Sequence, residues 1–276
     1  MNWSRAKTAL IIAFLLLDTA LGFQVWEQTR GAAREYGAIT SADLRNVKAR
    51  LESDGVRLAC SLPRGPAPLP YLVLRPGAAR AREVLDRLSV PKPGGVASLA
   101  TLLDNGTVIY TRDVAAGGKP VTRNAAVQQA RAFIDEYVGK SAGLELDYAL
   151  ASGDSWVVDF CARVDGRPLF SSHATVKVFP AGLAEARFVW YEPVGYSAQR
   201  RSIIPSTEAV VTAAVALGSS ARGRSIVAVT LGYYSEPYDA RQWESVPVWR
   251  VLFDDSREIY VNAHTGEVER PRGVGK

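Results

Sequence analysis

Two histidines, His173 and His264, are the only imidazoles in the chain, and both fall in segments that read as strand or turn. A metal site built on them needs carboxylates to complete its ligand set. His173 follows Ser171 and Ser172, but neighbours along a strand point to opposite faces, so this adjacency does not make a nucleophile and its base. No HExxH, paired CxxC or Gly-x-Ser-x-Gly pattern occurs, and these are the patterns that hydrolytic chemistry most often writes into a sequence. Both histidines are therefore expected to be structural and satisfied within the fold. Asp104 and the Asp254-Asp255 pair read as turn residues bonding their own backbone, and Gly266 as a source of positive φ. Trp156, Trp190 and Trp249 punctuate strand runs; core packing is their first reading and a peptide-binding face the second. Cys161 lies in an apolar run and reads as a buried small residue; a bridge to Cys60 is the alternative.

One ionisable residue stands apart. Asp18 interrupts the apolar stretch Thr8–Trp26, TALIIAFLLLDTALGFQVW. At ~1.5 Å per residue a helix of that length crosses the ~30 Å hydrocarbon core. Arg5 and Lys7 precede the stretch and Glu27 follows it, which orients the N-terminus to the cytoplasm and the bulk of the chain outside, as a single-pass membrane protein. A carboxyl at mid-membrane costs roughly 2.5–3.5 kcal/mol, and less toward the end of the span. Contact with a polar group on a partner helix relieves that cost. We therefore expect Ala13, Leu17, Asp18, Leu21 and Gly22 to form a partner-binding stripe in the membrane. The competing reading is a cleaved signal peptide, with Ala20-x-Gly22 as its small-x-small site.

Composition narrows the rest. The 276 residues carry a net charge of +5 with 47% hydrophobic content, enough for one or two globular domains behind an anchor. The excess of cations is mild and reads as a solvated surface rather than a nucleic-acid face. No motif points to a cofactor, a metal or a small-molecule substrate.

The elements that must position these residues follow from periodicity and breakers. Ser41–Ser53 predicts an amphipathic helix with Leu44, Val47 and Leu51 on one stripe and Ser41 as N-cap. The four prolines of Cys60–Pro70 make a connector or edge segment. Tyr71–Arg75 predicts a strand, Ala78–Leu88 a helix, and Asp104-Asn105-Gly106 a hairpin turn between Leu99–Leu103 and Thr107–Arg112. Then one pattern occurs twice. A helix capped by Thr122 precedes strands at Leu144–Leu150, Trp156–Val164, Leu169–Phe179 and Leu183–Tyr191. A helix capped by Ser206 precedes strands at Ser225–Tyr233, Val246–Phe253 and Glu258–Asn262. A helix needs a sheet to bury its stripe, so the class is α+β. The expected division is a tip (1–7), a transmembrane helix (8–26), a stalk (27–39), an N-terminal α+β region (40–121), two repeats (122–200 and 201–270) and a tail (271–276).

Three stretches together carry a resemblance. The opening Asn2-Trp3-Ser4-Arg5-Ala6-Lys7 before IIAFLLLD, the middle PLFSSHATVKVF–WYEPVG and the ending PVWRVLF…REIYVNAHTGEVE resemble the YycI family of Gram-positive membrane proteins. The likeness covers the anchor and residues 122–269 well and residues 40–115 loosely, and the chain has Asp18 where the family commonly has an amide. It implies that the two repeats are PepSY-like. It also implies a non-enzymatic regulator that contacts a YycH-like membrane protein and the cell-wall sensor histidine kinase WalK, also called YycG. The alternative is a membrane-held PepSY-type module that binds peptides or inhibits a protease.

Overall fold

A computed structural model describes residues 39–65, 68–90, 98–114, 117, 119–139, 143–236, 238 and 240–269. The expected membrane helix and its stripe from Ala13 to Gly22 lie outside the described residues. No helix among the described residues is long and apolar enough to cross a membrane.

The class is α+β, dominated by sheet. The first helix, α1, spans Ser41–Ser53 as expected, but its N-cap lies one residue before Ser41. Thr40 is its N-cap, accepting from the Asp43 N–H at 3.1 Å, while the Asp43 carboxylate accepts from the Thr40 N–H at 3.0 Å. Ser41 satisfies the same cap preference, but only Thr40 has an acidic residue three positions on to close the box. Leu51 is buried and Leu44 and Val47 half-buried, the stripe the spacing demands. Strands β1 (Arg57–Leu58) and β2 (Leu69–Pro76) flank the proline-rich connector. Then α2 (Ala78–Leu88) buries Ala81, Val84 and Leu88, and β3 (Ser98–Leu102) and β4 (Val108–Arg112) form the expected hairpin.

The doubled pattern is present. Helix α3 (Arg123–Tyr137), capped by Thr122 through the Ala125 N–H, precedes β5 (Leu144–Ser152), β6 (Ser155–Val164), β7 (Arg167–Phe179) and β8 (Gly182–Val189), all antiparallel. Strand β9 (Tyr191–Arg201) leaves that sheet and pairs with β2; its mostly exposed residues gave no alternation to read. Helix α4 (Ser206–Leu217) precedes β10 (Ser225–Tyr234), β11 (Trp243–Phe253), β12 (Glu258–Asn262) and the short β13 (Val268–Glu269). Its N-cap is Pro205 rather than Ser206. The Ser206 hydroxyl instead donates to Pro63 O at 2.7 Å, tying the helix to the connector.

Each half owns a core. Helices α2 and α3 pack on β4–β8 around Ile134, Val158, Phe160, Ala174 and Val176. Helices α1 and α4 pack on β1, β10, β11 and β12 around Leu51, Val210, Trp249, Val251 and Val261. The segment before α3 is thus shared out: α1 and β1 complete the second core, α2, β3 and β4 the first, and β2 bridges β9 and β11. The strands of the two halves join into one continuous sheet where β7 and β10 run parallel, Leu169 opposite Tyr233. Gly232 permits this crossing, since a Cβ there would lie 2.4 Å from Pro168 O and 2.5 Å from the Phe170 ring.

Candidate functional site

Strand β7 sets up the site by simple alternation. Ala174, Val176 and Val178 face α3 and are buried, so His173, Thr175 and Lys177 face the other way. Register places Asp159 and Val157 of β6 and Arg187 and Glu185 of β8 beside them on that second face. Above one end of the face sit Tyr148 of β5, the turn residue Ser256 and Glu258 of β12. The result is a cavity of about 260 Å³ lined by His173, Lys177, Arg187 and these three groups. A second cavity of about 210 Å³ shares His173 and Arg187 and continues to Tyr191, Ser171, Ser235 and Tyr234.

A buried charge cluster closes the inner end. Arg250 of β11, 2% exposed, donates to both carboxylate oxygens of Asp147, Nη2 reaching Oδ1 at 2.9 Å. Its Nη1 lies 3.5 Å from Glu258 Oε1, and the Tyr260 hydroxyl donates to Glu258 Oε2 at 2.5 Å. The guanidinium carbon stands 4.5 Å from the centre of the Phe170 ring, in cation–π range. Asp147 and Phe170 belong to the first half; Arg250, Glu258 and Tyr260 belong to the second. Burial opposes the charge on Arg250, but the hydrogen bonds and charge of Asp147 outweigh it and hold the guanidinium above its ordinary value. Burial pushes Glu258 up, against the opposing pull of Arg250 and the Tyr260 hydrogen bond. One cation facing two carboxylates leaves the second carboxylate under-compensated, which agrees with that direction. Burial also raises Tyr260 well above its usual value and Tyr191 to about 12.

The residues singled out from sequence fall variously. His264 is satisfied at one nitrogen only: its Nδ1 lies 2.9 Å from Ser202 O and its ring meets Tyr71 edge-on, while its Nε2 is buried without a hydrogen-bond partner among the described residues. His173 departs from expectation. It is 6% exposed, yet its Nδ1 has no hydrogen-bond partner among the described residues. The Ser171 hydroxyl bonds Ser235, and the Ser172 hydroxyl accepts from the Tyr191 N–H, so neither serine is paired with the imidazole. Asp255 accepts from the Arg257 N–H two residues on, as a turn residue should, and Gly266 has φ of 76°. Trp249 is buried, with Nε1 donating to Ile204 O; Trp156 and Trp190 are half-buried against the first core. Cys60 and Cys161 are not bridged, and the Cys161 thiol donates to Leu169 O at 3.1 Å. Arg250 was the group sequence reasoning passed over. Its signal was a lone cation inside the apolar run PVWRVLF, which demands a buried partner.

No curated protein sequence matches the chain. In three dimensions the chain is similar to the Bacillus megaterium YpeB C-terminal domain. That likeness has 12% identity, covers 72% of this chain and 96% of that one, and has a TM-score of 0.37. It is also similar to an uncharacterized protein from Eubacterium rectale, at 11% identity over 79% of this chain and 89% of that one, with a TM-score of 0.40. The family described as YycI protein matches residues 37–264, most of the chain, and on that match the chain belongs to the YycI family.

Proposed function

We propose that this chain is a membrane-anchored, extracytoplasmic regulator of a cell-wall-sensing histidine kinase, acting through contacts with the kinase and a YycH-like partner. Membership of the YycI family carries this reading, because it implies involvement in regulating the YycFG (WalKR) two-component system. In this reading Thr8–Trp26 spans the membrane, and Asp18, with Ala13, Leu17, Leu21 and Gly22, meets the partner helices. The regions 122–200 and 201–270 act as PepSY-like platforms outside. A partner shifts a kinase between signalling states only by binding one state better than the other. A bias of 5–150-fold needs ~1–3 kcal/mol, within reach of a few helix contacts. Strand β3 offers a further contact: it pairs with β4 alone among the described residues, and Leu99 on it is 65% exposed.

Crosslinking in native membranes from Leu17→Cys or Asp18→Cys tests the reading. Capture of a histidine kinase or a YycH-like protein is the expected result. A mature chain beginning near residue 23, with no membrane partner, would replace the anchor by a cleaved signal peptide. The two cavities beside His173 favour a second reading, a membrane-held module that binds peptides.

A further inference from the structure

Strand β3 ends the sheet, pairing with β4 alone among the described residues. The Leu103 N–H donates to Thr107 O at 2.8 Å, which makes Leu103 and Thr107 a hydrogen-bonded pair. Antiparallel partners alternate between bonded and non-bonded pairs. With Leu102 opposite Val108 and Thr101 opposite Ile109, the main-chain groups of Leu99 and Thr101 turn toward β4. Those of Ser98, Ala100 and Leu102 turn outward, to the open edge. Such an edge is a template for another strand unless charge, proline or a bulge blunts it. The other described strands that pair on one side only carry that protection: Arg57 on β1, Glu145 on β5, Glu192 and Pro193 on β9, Glu269 on β13. From Ser98 to Leu103 there is neither charge nor proline. Leu99 is 65% exposed and Leu103 37%. Alternation puts both on the face opposite Ala100 and Leu102, which pack on the first core.

We propose that β3 is a docking edge for a second copy of this chain, the two β3 strands pairing antiparallel about a two-fold axis at Ala100. A two-fold interface sets one surface against itself, so any charge on it would face its own like; this edge has none. The outward groups fall into a single register. Ser98 lies opposite Leu102 of the second copy, Ala100 opposite its counterpart, and Leu102 opposite Ser98, so each outward N–H meets an outward C=O. In that register Leu99 stands opposite Thr101 and diagonal to Leu99 and Leu103 of the second copy, within reach of long side chains. The exposed leucines of both copies thus cover one another on one face. A strand of 5 residues makes a weak interface, and confinement of both copies to a membrane would raise their effective concentration. The β3 contact proposed above thereby acquires an occupant. It stands or falls apart from the kinase contact, which is tested at residues 17 and 18.

The test is sedimentation of the full-length chain in detergent. The parent should pass from monomer to dimer as its concentration rises through about 10–500 µM. Leu99→Lys, on an exposed side chain, sets a charge diagonal to its own copy and should weaken the dimer about tenfold. Ala100→Pro removes an outward N–H and spares the bonds to β4; it should abolish the dimer while the melting temperature stays near that of the parent. In a Cys60→Ser background, Ala100→Cys should form an intermolecular disulfide under mild oxidation, because bonded antiparallel partners lie about 5.5 Å apart at Cα. A chain that stays monomeric throughout, or a dimer that survives both Leu99→Lys and Ala100→Pro, would overturn the proposal. Absence of the Ala100→Cys crosslink would overturn the two-fold register. A monomer whose complex with a YycH-like protein is lost on Leu99→Lys would overturn the second copy as the occupant of this edge.

Discussion

At the scale of single residues, Arg250 decides most. It is a guanidinium sunk between two halves of the chain, bonded to Asp147 from the first and beside Glu258 in the second. Removing one partner of such a cluster costs more than the cluster contributes, because the others stay buried and uncompensated. Arg250→Met should therefore lower stability by about 3–5 kcal/mol in urea denaturation near neutral pH. The loss should shrink in acid, where Glu258, already raised by burial, takes up its proton. Glu258 gives a second prediction with a definite sign. Its folded pKa is raised, so the folded chain holds that proton more tightly than the unfolded chain does. The associated stability is fully present below the unfolded carboxyl's pKa and falls as pH rises through the folded value. Glu258→Gln keeps an acceptor for Tyr260 and removes that dependence. The melting temperature of the variant relative to the parent should climb as pH rises above the ordinary carboxyl range; a flat difference would show that Glu258 titrates normally in the fold.

At the scale of elements, the junction of β7 and β10 is the place where packing has no slack. Tyr233 and Tyr234, neighbours on β10, enter separate apolar clusters, one with Leu72, Leu169 and Trp243, the other with Phe170, Val248 and Tyr260. Tyr234 stacks on Tyr260 at 4.1 Å. Gly232 lies beside them with Pro168 O and the Phe170 ring where a side chain would go. Gly232→Ala forces a backbone oxygen aside and should cost about 1–3 kcal/mol, the usual range for overpacking, measurable by chemical denaturation. An alanine tolerated without loss would mean that the two strands separate easily, and with them the two halves.

At the scale of the whole molecule, the proposed work divides between the anchor and the extracytoplasmic fold. If regulation runs through helix packing, exchanging residues 8–26 for an unrelated membrane helix should abolish kinase regulation while the outer fold stays intact. If the chain is instead a tethered peptide-binding module, the output should survive that exchange. A reporter of kinase output, read beside membrane localisation and the melting curve of the exchanged protein, separates these cases.

Much of this architecture is legible along the chain because the responsible forces are local. The stripe of Leu44, Val47 and Leu51, the cap at Thr122 and the alternation of Thr175–Phe179 each act within a few residues, and each element appears where they place it. Motifs spread over the chain were sufficient to reach the YycI family as well. The two cavities beside His173 could not be read that way. Asp147 meets Arg250 across 103 positions, and Tyr191, His173 and Ser256 share a groove only because β7, β9 and the β11–β12 turn converge at the seam. Strand β9 had no alternation, since most of it faces water. Periodicity reports which face of an element is apolar; which elements then close upon one another is decided by long-range packing, such as the close approach of β7 and β10 that Gly232 permits.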